Sequence, residues 1–132
     1  MNVVKVFGSV VLGLALVGCS SVKEPAVTGS ITYLDRMALP EKAVVTVTLG
    51  DVAKQDVSLT ALSYAQFKVG NKQVPFKYVL PYKAEQIGSG SRIIVNARID
   101  VDGQLLYVTD EIHEVITNGV NNADIVMKRV QQ

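Results

Sequence analysis

The sequence predicts an all-β fold, a single antiparallel β-sandwich of about seven or eight short strands. Three observations carry that expectation. From Val27 onward the apolar residues recur with period two rather than 3.6. The dipeptides Asp102-Gly103 and Asn118-Gly119 mark tight turns between apolar runs. Pro40, Pro75 and Pro81 all flank such runs, where proline is tolerated at strand ends and sheet edges.

The first element is not a strand. MNVVK carries one positive charge, Lys5, and Val6 to Gly18 then forms an apolar run. That run has the length of a signal-peptide core and is short for a membrane span. It ends at Leu16-Val17-Gly18-Cys19, which matches the bacterial lipobox, and Cys19 is the chain's single cysteine. An intrachain disulfide is therefore excluded. The expectation is a lipoprotein signal peptide over 1–18 and acylation of Cys19. Ser20, where an aspartate would retain a lipoprotein in the inner membrane, points to outer-membrane sorting. Residues 19–26 read as a lipidated tether, small and polar with Pro25 opposing regular structure. Acyl chains give firm anchoring at roughly 0.8 kcal/mol per buried methylene.

The domain expected over 27–132 begins with a strand at Gly29–Leu34. In AVVTVTLGD, Val45, Val47 and Leu49 alternate with Thr46 and Thr48, so one face is buried and one wet. Residues 57–69 fit neither period cleanly. Val74–Leu80 reads as a strand with Phe76, Tyr78 and Leu80 on one face. Ile93, Val95, Ala97, Ile99 and Val101 alternate with Asn96, Arg98 and Asp100, and Asp102-Gly103 turns the chain back. A plain two-residue turn pairs Ile99 with Leu106 and Ala97 with Val108 on the core face, with Arg98 opposite Tyr107 outside. Glu111–Ile116 and Asp124–Val130 complete the set.

Charge and motif inventory narrow the function. Of 13 Lys plus Arg, only Lys5 lies in the leader, so 12 basic residues face 12 acidic ones in the remainder. That balance gives no electrostatic case for nucleic acid or acidic lipid. His113 is the single histidine; Glu111 shares its strand face, but a zinc site needs three or four ligands. No G-x-S-x-G elbow surrounds a serine, and GSGS at 88–91 lacks the lysine and helix of a phosphate loop. Asp100 and Asp102 resemble the start of a calcium loop without its closing glutamate. Asp51, at the end of a strand, reads as a structural acceptor for the following bend. No catalytic residue, metal or cofactor is expected. Tyr64, Phe67, Phe76, Tyr78 and Tyr82 cluster in one third of the domain. They are either core or an apolar groove with hydroxyls on its rim, and Tyr64, Phe67, Tyr78 and Tyr82 are the groove candidates.

The segments VTGSITY (27–33), ALPEKAVVTVTLGDV (38–52), VPF (74–76), LPY (80–82) and ARIDVDGQL (97–105) resemble the YbaY-type lipoproteins. These are grouped with YscW, the lipoprotein chaperone (pilotin) of type III secretion. Ala53 departs from the hydroxyl residue that many members carry there. The resemblance implies a compact β-sandwich on a lipid anchor. It also implies a pilotin-like role, in which a secretin or another envelope protein is bound and helped to the outer membrane. The expected protein is a lipoprotein anchored in the outer membrane and facing the periplasm, a non-catalytic binding module. The alternative is a cell-envelope lipoprotein that recognises a glycan or a small apolar molecule.

Overall fold

The computed structural model describes residues 24–53 and 59–130. Cys19 and Ser20 lie outside the described residues. The strands are β1 Ala26–Tyr33, β2 Val44–Asp51, β3 Thr60–Lys68, β4 Phe76–Pro81, β5 Ile93–Val101, β6 Gln104–Val108, β7 His113–Glu114 and β8 Asn122–Arg129. One 3-10 turn, Ala84–Gln86, interrupts the connection from β4 to β5. The all-β class is as the periodicity predicts, and the ambiguous stretch 57–69 contributes β3.

The strands form one continuous sheet in the order β3-β2-β5-β6-β8-β1-β4, with β7 beside β5. It curls until its two edges approach, so the two faces expected of a sandwich are parts of one barrel-like sheet. Phe67 of β3 and Phe76 of β4 meet edge-to-face across the seam, centroids 5.7 Å apart. Most pairs are antiparallel. The exception is β1 with β8, which run parallel from Thr28↔Asn122 to Tyr33↔Met127. The first and last strands therefore lie side by side, which an expectation of purely antiparallel pairing missed.

Period two does what it predicts. Val45, Val47 and Leu49 of β2 and Ile93, Val95, Ala97 and Ile99 of β5 point inward and are buried. Val27 and Ile31 of β1, Phe76, Tyr78 and Leu80 of β4, and Ala123, Ile125 and Met127 of β8 complete the core. Fully burying such an aliphatic side chain is worth about 1.5–3 kcal/mol each. The outer threonines stay on the wet face, where Gln66 Nε2 donates to Thr46 Oγ1 at 3.0 Å.

The β5–β6 hairpin differs from the simple register by one residue. Asp102 (φ 52) and Gly103 (φ 79) form the expected positive-φ turn, and Val101↔Gln104 and Asp100↔Leu105 pair as expected. The register then shifts, so that Ile99 faces Tyr107 and Arg98 faces Val108. Leu106 is the extra residue of a bulge, and Tyr107 rather than Leu106 enters the core. A bulge adds one residue to one strand and so exchanges inward for outward beyond it.

Close approach fixes a second glycine. Gly29 lies between Tyr78 of β4 and Ala123 of β8. The Tyr78 hydroxyl passes over it to donate to the Ala123 carbonyl at 2.5 Å. A Cβ at Gly29 would come 1.8 Å from that carbonyl oxygen. Gly29→Ala should therefore overpack this crossing and lower stability by about 1–3 kcal/mol, read from the urea unfolding midpoint. Gly103→Val forces a β-branched residue into positive φ and should cost about 1–3 kcal/mol. A Gly103→Asn variant, which tolerates that conformation, should recover most of the loss in the same assay.

Candidate functional site

Register defines two poles. Ala26 pairs with Pro81 and Asp51 with Ile93, so residues 24 and 25 enter the fold at the pole that also holds the 82–92 and 109–121 connections. At the far pole lie the 34–43 and 69–75 connections and the Asp102-Gly103 turn.

The near pole is organised by Asp51. One carboxylate oxygen accepts from Ala53 N (2.9 Å) and Arg92 N (3.1 Å), the other from Ser91 Oγ (2.7 Å). This is the structural acceptor role expected for it, and it closes the bend with alanine at position 53. Ser91 Oγ in turn accepts from Gly88 N at 3.0 Å, which makes GSGS an ordered connection. His113 pairs with Val95, and its Nε2 is hidden without a partner among the described residues. Among the described residues no group of three or more His, Cys, Asp or Glu is placed to hold a metal.

The far pole carries a polar cluster that the sequence did not reveal. Tyr33 and Tyr107 stack with centroids 4.3 Å apart and planes 12° from parallel. Tyr107 donates to Asp35 Oδ2 at 3.0 Å, and Arg129 Nη1 lies 3.2 Å from the same oxygen. Tyr33 donates to the Met37 carbonyl at 2.7 Å. The cluster pins the connection from β1 to β2 across the end of the barrel. Only the bulge brings Tyr107 inward to join it, so a reading without the bulge could not find it.

At the same pole, at the seam, lies a cleft of about 810 Å³ between the end of β3 and the start of β4, open to solvent. Phe67, Pro75 and Phe76 supply its apolar surface, and Lys68, Lys72 and Lys77 its charge. Its loop is held in place. Gln73 accepts from Leu39 N at 3.1 Å and donates to Leu39 O at 3.4 Å, and Gly70 N donates to Glu41 O at 3.0 Å.

The four aromatic groove candidates are not brought together. Tyr78 is in the core, committed to Ala123. Tyr64 projects from the outer face of β3 and is 66% exposed. Tyr82 packs half-buried at the near pole, and Phe67 alone lines the cleft. Strand parity separates them: Tyr64 and Phe67 are three residues apart on one strand and so face opposite sides.

Burial and negative charge perturb the tyrosines. Tyr78 is pushed up to about 12, first by burial and then by the nearby Asp124 carboxylate. Tyr107 is also pushed up to about 12, by burial, then by its hydrogen bond to Asp35 and that group's charge, with Arg129 opposing. Tyr33 is raised by burial and by Asp35.

The family model described as the type III secretion system lipoprotein chaperone (YscW) matches residues 22–127. The chain belongs to this family. A relative of the YscW-family chain, from Escherichia coli (strain K12), is described as an uncharacterized lipoprotein, YbaY; it is 33% identical over 112 residues. The match takes in 85% of this chain but 59% of that protein, so the chain spans less than two thirds of its relative's length. A solved structure of an alternative pilotin from the type II secretion system of Vibrio cholerae is 36% identical with a TM-score of 0.78. It covers 83% of this chain and 100% of the pilotin. The shared fold is thus the barrel-like sheet just described.

The raised tyrosines make a pH prediction. The folded state holds these protons to about 12, whereas an unfolded tyrosine releases its own near 10.0. Their contribution is complete below pH 10 and is lost as pH rises toward 12. Urea midpoints measured across that window should fall steadily, and Tyr78→Phe should flatten the fall.

Proposed function

We propose that this protein is a lipid-anchored, non-catalytic chaperone of the bacterial envelope that binds a secretin or another envelope protein and assists its delivery to the outer membrane. The observation that carries the reading is the match to the lipoprotein chaperone family across residues 22–127. The likeness to a type II secretion pilotin supports it from a second secretion system. In this reading 1–18 is the signal peptide, Cys19 bears the acyl chains, and Ser20 directs the protein to the outer membrane, with the domain facing the periplasm. The contribution is proximity. The anchor concentrates the domain at one membrane, and a short tether keeps any bound client within reach of that surface.

The anchor is tested directly. Cys19→Ala should move the protein from the membrane to the soluble fraction and change its migration, while leaving the unfolding midpoint unaltered because Cys19 precedes the folded strands. In the same cells a client should fail to reach the outer membrane. Normal client localisation in Cys19→Ala cells would overturn the delivery role.

A further inference from the structure

The sheet ends in two free edges. Among the described residues β3 pairs only with β2, and β4 only with β1. Alternate residues of an edge strand direct their N–H and C=O groups away from the sheet, which makes such an edge a template for an added strand. Here both edges border one cleft, and the contact of Phe67 with Phe76 holds them near each other at the far pole.

The charges around that cleft are unbalanced although the domain is neutral. Three carboxylates toward the far end are already matched: Asp35 with Arg129, Asp102 with Lys42 at 2.6 Å, and Asp100 with Arg98 at 3.5 Å. Lys68, Lys72 and Lys77 are exposed, and none forms an ion pair among the described residues. Among the described residues no acidic one lines the cleft. Glu41, exposed on the adjoining connection, meets the cleft loop through its backbone carbonyl.

We propose that this cleft is a docking site for an extended, acidic segment of a partner protein. Apolar side chains of the segment rest on Phe67 and Pro75, its carboxylates meet Lys68, Lys72 and Lys77, and its backbone adds to a free edge of the seam. Charge complementarity selects the segment, and the free edges select its extended form. The position favours a protein over a membrane surface. The chain enters β1 at the opposite pole, and eight strand residues span about 26 Å. The proposal rests on the chaperone reading only in taking the partner to be a client.

The test uses the full-length lipoprotein in phosphatidylcholine nanodiscs and three labelled eight-residue peptides. One alternates glutamate with leucine and phenylalanine; the second has glutamine for glutamate; the third has serine for the apolar residues. The first should bind at least about tenfold more tightly than either control and weaken as salt is raised. The triple variant Lys68→Gln, Lys72→Gln, Lys77→Gln should abolish that preference, while Lys83→Gln with Lys128→Gln keeps it. These lysines are exposed, and an unchanged unfolding midpoint verifies folding. Equal binding of the glutamine peptide, or an unaffected triple variant, overturns the proposal. So does a triple variant that keeps the peptide preference but loses capture of phosphatidylglycerol vesicles, since the cleft would then serve a lipid headgroup. Client localisation in Cys19→Ala cells separates the two readings. Peptide failure with Cys19-dependent delivery removes this site alone, and peptide success without such delivery removes the chaperone role alone.

Discussion

The parallel pairing of β1 with β8 is the constraint on which the rest of the barrel depends. It joins the first strand to the last and thereby brings β4 around to face β3. The joint tolerates almost no bulk at its centre, because the Tyr78 hydroxyl crosses Gly29 to reach the Ala123 carbonyl. One aromatic side chain thus ties three adjacent strands while filling the space a glycine leaves. Its hydroxyl is satisfied in the interior, which removes the penalty of burying a polar group there.

Closing the sheet only partway has a second effect. Complete closure would pair every edge, whereas here two edges survive and are protected by proximity, by lysine and by proline at the ends of β4. Pro75 precedes β4 and Pro81 ends it, in keeping with an edge strand. The same features that guard an edge against indiscriminate pairing leave an apolar floor ringed by positive charge. A neutral total of 12 against 12 hides this, because three lysines line the cleft while the described acidic residues lie elsewhere on the barrel.

How much was legible in the sequence follows the range of the interaction involved. Strand faces in β2, β4 and β5 were readable because alternation is local, and the Asp102-Gly103 turn because positive φ selects residue type. Asp51 was readable as an acceptor because its donor at Ala53 is two residues away. The Leu106 bulge was not, since nothing in Gln104–Val108 distinguishes an extra residue from a regular one until both strands are seen. The parallel partner of β1 was equally hidden, being a matter of residues more than ninety positions apart. The aromatic cluster stayed open between core and groove for a related reason. Nearness along the chain could not separate the two, while parity and strand order send Tyr64 outward, Tyr78 inward and Tyr82 to the near pole.

The flanking of β1 on both sides also has a mechanical meaning. The chain enters β1 at the near pole, and anything held at the cleft pulls from the far one. Tension between the two runs along the strand axis, while the backbone bonds of β1 to β4 and β8 lie across it. Those bonds are loaded together in shear and cannot be opened one at a time like a zipper. A barrel so arranged resists force along its length better than force across it, and transmits a pull on its amino terminus to the cleft without first unravelling.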